Sequence, residues 1–157
     1  MPTADFLSAL DLFFDALSAE QIQRAKLTVE IRDLAILGDA HREHYADILH
    51  RHQLAHSFIH HPSVPTIADQ ARALAGLHQP WLVVRWMQKH GLTHDEARQR
   101  FLPFDRLQAI EPASRNVISQ LARTAADTDR ASWIIVSNRA EGCAPATITD
   151  LARLIVS

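Results

Sequence analysis

Five polar residues stand at or just past the ends of short apolar, β-branched runs. Glu30 and Arg32 close Leu27–Arg32, His60 closes Leu54–His60, Arg85 lies in Trp81–Met87, and Asn138 follows Trp133–Ser137. An arginine presents a planar fork that grips a carboxylate or phosphate through two parallel hydrogen bonds. A carboxylate or imidazole beside it can give or take a proton, and an amide can orient what is bound. With Arg85 as the anion holder, Glu30 or His60 as acid or base, and Arg32 and Asn138 as ligand contacts, the set would suit a phosphate-containing ligand. The plainer alternative is that Glu30 and Arg85 only neutralise each other inside the fold.

Other residues invite weaker readings. The run from Asn138 to Pro145 turns into a helix, and a helix N-terminus attracts anions. Turn geometry accounts for Gly142 and Pro145 but not for Asn138 or Glu141, so the ligand-contact set includes Asn138, Glu141 and Gly142. His60, His61 and Glu30 could hold a metal, but neighbours on a strand point to opposite sides, so none is expected. Cys143 lies beside a helix start, which favours the thiolate. No His or Asp partner can be named for it, and a small packing residue is the expectation. Trp81, Trp86 and Trp133 lie in or next to strands without a surrounding basic cluster, which suits packing rather than base stacking.

These residues need a scaffold. The chain has 157 residues, 47% hydrophobic and 22% charged, which is one ordinary globular domain spanning residues 1–157. A formal charge of −2 gives no basic field for nucleic acid. One cysteine forbids an intramolecular disulfide and a Cys-based zinc cage, and fits a reducing, cytoplasmic setting. No signal peptide or membrane span is expected. The cofactor requirement stays unknown.

Apolar spacing predicts a leading helix around Phe6–Leu17, and Ser18 with Gln21 has capping-box spacing. Four strand–helix repeats follow, the third with two helices. Asp39, Thr66 and Thr93 are the expected helix caps, with Pro112 in the first turn of a further helix. Strands alternating with helices imply parallel pairing. Two architectures fit: a small open parallel sheet with helices on both faces, or part of a barrel. Pattern alone leans to the open sheet, because a closed barrel needs eight strands.

Several stretches, in order, resemble one family. Val29-Glu-Ile-Arg32 resembles its VE-x-R strand, and Leu49–His56 the helix that leads into its next strand. Trp81–Trp86 with Gly91-Leu-Thr-His-Asp-Glu-Ala97 resembles its R-W…G-L-T-x-x-E-A segment. Most specific, Ile135–Pro145 resembles its terminal N-N-x-x-E-G-x-A-P signature, with Ser137 in place of the first Asn. The sequence is thus similar to the YecE-like family, also called domain of unknown function 72. The resemblance implies a TIM-type β/α barrel of which this chain supplies the C-terminal half, four βα units and a leading helix. It carries no agreed biochemical function.

In such a barrel the functional face is the C-terminal end of the strands. Strand alternation then sends Glu30 and Arg32, the His56–Phe58–His60 side, Arg85, and the Ile134–Val136–Asn138 side toward the lumen. Two functional readings follow. One is a ligand-binding or hydrolytic site for a phosphate-containing or nucleic-acid-like substrate. The other is a non-catalytic, truncated or split half-barrel acting through self-association, as a homo-oligomer or with a complementary half-barrel chain.

Overall fold

The computed structural model describes residues 2–60 and 64–157. His61 and Pro62, part of the expected exit of the second strand, lie outside them. Two helices lead: α1 (Thr3–Asp15) and α2 (Ala19–Ala25). The Ser18 hydroxyl accepts from the Gln21 N–H while the Gln21 side chain accepts from the Ser18 N–H, the reciprocal box its spacing predicts. Strand β1 is short (Thr28–Val29), and a 3₁₀ turn (Leu34–Leu37) leads to α3 (Arg42–Arg51). Then come β2 (Ala55–Ile59), α4 (Ile67–Ala73), β3 (Leu82–Trp86), α5 (His94–Phe101), α6 (Pro112–Asp127) and β4 (Ser132–Val136). A four-residue turn of helix, α7 (Asn138–Glu141), precedes α8 (Ala144–Val156).

Two local expectations are corrected. Asp39 does not cap α3; the N-cap is His41, without a side-chain bond, and Asp39 pairs with Arg42 instead. Asp33 caps the unforeseen 3₁₀ turn through the Ala35 N–H. The first strand pairs over only two residues, because past Val29 the chain leaves the ladder and Glu30 turns to arginine partners. The expected caps Thr66 and Thr93 both hold.

All four strands are parallel, in the order β1-β2-β3-β4. A doubly wound sheet needs a reversal in strand order, and none occurs here. With right-handed crossovers an unbroken order sends every connecting helix to the same face. The packing agrees. Leu82, Val84 and Trp86 of β3, with Ile134 and Val136 of β4, pack on Ile118, Ala122 and Ala125 of α6 and Leu151 of α8. Val29 and Ile31 pack with Leu7, Phe14, Tyr45, Ile48 and Leu49 of α1 and α3. The open sheet with helices on both faces is therefore not what forms.

The other face is different in kind. Ala55, Trp81 and Val83 make a small cluster there, while Trp133 and Ile135 of β4 are 41% and 47% exposed. The Lys26 ammonium, just before β1, lies 5.5 Å and 5.7 Å from the Trp81 and Trp133 rings, within cation–π range. No described helix is long and apolar enough to cross a membrane.

Candidate functional site

The strand ends deliver their side chains in register. Ile59 pairs with Arg85, and Arg85 with Ile135, so these three share the helix-free face. Glu30, just past β1, reaches the same place: an Arg85 amino group donates to its Oε2. Arg32 donates to Oε1 through Nε and an amino group, at 3.1 Å and 2.8 Å. Burial works to raise the Glu30 carboxyl, but the Arg32 and Arg85 hydrogen bonds and charges outweigh it and hold the group below the ordinary carboxylate range. Glu30 is thus a fixed anion that orients two guanidiniums, and is unsuited to donating a proton at neutral pH.

Around this trio lies a cleft of about 320 Å³, bordered by His60, Met87, Gln88, His94 and Arg139 as well. Its third arginine, Arg139, is set by the turn after β4. The Ser137 hydroxyl caps α7 by accepting from the Arg139 N–H, and the Arg139 carbonyl accepts from the Lys89 N–H at 2.8 Å. Its Nε is buried and has no hydrogen-bond partner among the described residues. Arg85 gives one amino group to Glu30, and the rest of its fork is likewise unclaimed among them. Three arginines therefore line a cleft with one carboxylate, and two of them keep donors unclaimed among the described residues. Arg139 lies inside the terminal motif, and its position three residues past the end of β4 is the signal that could have found it.

His60 is in the cleft wall, but not on the expected side. Residues beside Ile59 must face the other way, so His56, Phe58 and His60 point into the helix layer. Phe58 joins the core with Ile67. His56 is buried and satisfied: its Nδ1 faces the Tyr45 hydroxyl at 2.9 Å and its Nε2 the Gln70 carbonyl at 3.1 Å. Burial pushes its pKa down to about 4. His60 Nε2 lies 2.9 Å from Ser114 Oγ, which donates to Glu111 Oε2 at 2.6 Å. The ring also lies 5.9 Å from those of Trp86 and His90. Desolvation lowers its pKa, with Glu111 acting in the opposite sense and His90 and Lys89 adding to the fall. Neither Ser114 nor Glu111 was legible as its partner, since 54 and 51 positions separate them in sequence.

Three motif residues do not reach the cleft. Ile134 and Val136 pack toward the helices, and the Asn138 side chain turns back to accept from the Ala144 N–H at 2.8 Å, tying α7 to α8. Glu141 is fully buried. It accepts three hydrogen bonds from Arg115 at 2.6–3.0 Å, one from the Glu111 N–H at 2.7 Å and one from the Thr147 hydroxyl at 3.0 Å. Those bonds hold Arg115 protonated against desolvation, with Asp150 as its second partner. Gly142 has φ +111°, and a Cβ there would lie 2.6 Å from the Arg106 carbonyl oxygen. A side chain would therefore be strained twice. Cys143 is half-buried at the N-cap of α8 and makes no side-chain cap bond. The signature loop thus locks the last helix onto α6 and presents Arg139.

Asp11, Asp15 and His52 have ligand atoms within 4.8 Å of one another, the described residues' one grouping of metal-ligating type. The Arg51 guanidinium already donates to Asp11 at 2.6 Å, and His52 Nε2 donates to its other oxygen at 2.8 Å. A cation at this place would compete with a fixed one.

Two crystal structures of a DUF72 family protein from Enterococcus faecalis V583 share this architecture, each with a TM-score of 0.59, at 13% and 12% identity. The match covers 98% of this chain but 52% and 55% of those chains, so the sequence spans about half the length of its solved relatives. No curated protein sequence matches it. The family model described as protein of unknown function DUF72 matches residues 1–157, the whole sequence, and the chain therefore belongs to the DUF72 family.

Proposed function

We propose that the cleft at the strand ends binds a small phosphate-containing ligand. The observation that carries this reading is the pair of guanidiniums, Arg85 and Arg139, which line one cleft with donors unclaimed among the described residues, while Glu30, the sole carboxylate among its described lining, is already neutralised. Arg32 adds charge and holds Glu30 in place. In this reading the acid–base duty falls to His60 rather than Glu30. The anion takes the position at the C-terminal ends of the strands, where β/α folds place their ligands. A cleft of this volume suits a phosphate ester better than a nucleic-acid strand.

The test is titration calorimetry with inorganic phosphate at low and moderate salt. Binding should weaken as salt rises. Arg85→Ala should weaken it at least ~10-fold, since charged hydrogen bonds contribute roughly 1.5–3 kcal/mol. The fold should persist, because Glu30 keeps Arg32. Unchanged affinity in Arg85→Ala removes the arginine from the site.

A second reading rests on Trp133 and Ile135, whose side chains stand on the uncovered face of β4. Eight strands close a TIM-type barrel, and this chain contributes four, with β1 and β4 as open edges. Two copies, pairing β4 of each with β1 of the other, would complete the barrel and cover that face; a complementary half-barrel chain would do the same. Light scattering at micromolar concentration should then report a dimer, and Ile135→Glu a monomer. A wild-type monomer at all concentrations sinks this reading. Cytoplasmic location belongs with both proposals.

A further inference from the structure

A second cleft adjoins the first, and His60 belongs to both. It holds about 170 Å³ and lies between the start of α4 and the start of α6. Ile67, Ala68, Ala113 and Val117 give it mainly apolar walls, and His90, Glu111 and Ser114 line its rim with His60. The two clefts together fall in the range of about 300–1,000 Å³ typical of small-molecule sites.

The hydrogen bonds at this partition assign its proton. Ser114 has one hydroxyl hydrogen, and Glu111 takes it at 2.6 Å. The Ser114 oxygen can then only accept from His60 Nε2, 2.9 Å away. The imidazole is therefore the Nε2–H tautomer, and Nδ1 carries a lone pair. The His60 side chain is 3% exposed, and Nδ1 has no partner among the described residues. A buried acceptor without a donor is unfavourable, and because His60 lines both clefts a donating ligand that occupies them would complete it. The charged and titratable groups around it are Glu111, Lys89 and His90; Lys89 pairs with Glu111 at 3.6 Å.

We propose that the two clefts form one bipartite site with His60 as its divider. It takes a phosphate ester whose anionic end lies among Arg85, Arg139 and Arg32. Its short carbon arm enters the second cleft and carries a hydroxyl that donates to His60 Nδ1. Glu111 and Ser114 are positioning residues: they fix the tautomer that leaves Nδ1 free to accept. This inference rests on the anion-binding reading above and adds the second half of the ligand.

The experiment compares inorganic phosphate with glycerol 1-phosphate, by calorimetry and by ¹⁵N detection of the imidazole nitrogens. Glycerol 1-phosphate should bind at least ~5-fold more tightly than phosphate to the wild type, with the His60 Nδ1 signal moving in the direction of an accepted hydrogen bond. Ala113→Leu, which fills the second cleft at its rim and leaves the arginines alone, should bring the ratio to about one with phosphate affinity unchanged. Ser114→Ala should shift His60 toward the other tautomer. If phosphate itself does not bind, the anion reading fails and this inference with it. If phosphate binds but the arm brings no gain and His60 Nδ1 does not respond, the second cleft is refuted and the first stands. A gain that survives Ala113→Leu also overturns the proposal.

Discussion

Glu141→Ala should destabilise the protein by about 3–5 kcal/mol, the usual cost of removing one partner from a buried ion pair. The size follows from what is left behind. Arg115 is itself buried, and three of its hydrogen bonds end on Glu141. Asp150 alone would remain to compensate it. The Glu111 N–H would lose its acceptor as well, and the Thr147 hydroxyl would keep only the Cys143 carbonyl. The damage is also topological, because these partners belong to the approach to α6, to α6 itself and to α8, and Glu141 joins all three to the end of β4. Glu141→Gln keeps the shape and some of the hydrogen bonds but not the charge, so it should lose less. Urea denaturation measures both. The exposed Arg153→Ala, which removes only a surface pair with Asp150, should cost well under ~1 kcal/mol. A Glu141→Ala protein as stable as that control would show that the ion pair does not hold the helices.

Acid should weaken the fold well before the carboxylates titrate. In the unfolded chain His56 takes up its proton near pH 6.5, whereas buried between Tyr45 and Gln70 it stays neutral down to about 4. Between those values the unfolded state binds more protons, so stability falls as pH is lowered through 6.5 and levels off below about 4. Above 6.5 this contribution is fully present. Across that window the loss is about 3 kcal/mol on the usual conversion. His60, also lowered by desolvation, acts in the same direction. Asp11, Asp69 and Glu96 are held below their ordinary values by hydrogen bonds and charged partners. Their stabilisation is present above their unfolded values and goes only at lower pH. Urea midpoints at pH 7.5, 6.0 and 4.5 should decline steadily, and an NMR titration should find no His56 midpoint above 5. A flat profile over that range would mean that the imidazole is not buried neutral.

Much of the fold was legible because its signals are local. Ser18 with Gln21, Thr93 with Glu96, and Pro112 in a first turn each use backbone groups within one helical turn, so spacing alone announces them. The arginine-bearing strand was legible too: Leu82, Val84 and Trp86 alternate with Val83 and Arg85, and the charged residue marks the helix-free face. The second strand defeated the same reasoning. All five residues of β2 are buried, so neither side carries a solvent signal, and an imidazole can sit in a core that supplies partners. In β4 the pattern misleads in the opposite sense, since Trp133 and Ile135 are large, apolar and exposed while Ile134 and Val136 do the packing. Asn138, Glu141 and Gly142 carried the family resemblance, but their partners lie at Ala144, Arg115 and Arg106. Asn138 reaches only six positions on, but no spacing rule connects Glu141 and Gly142 to partners 26 or more positions away. Asp39 looked like a cap because capping residues are common in turns of every kind.

The uncovered face of β4 also gives the molecule a built-in optical reporter. Trp81 and Trp86 are almost wholly shielded, so Trp133 is the indole that water and dissolved quenchers reach. Its red-edge emission and its iodide quenching should therefore register whatever comes to lie on that face. The Lys26 ammonium over its ring gives the same signal a dependence on the charge just before β1.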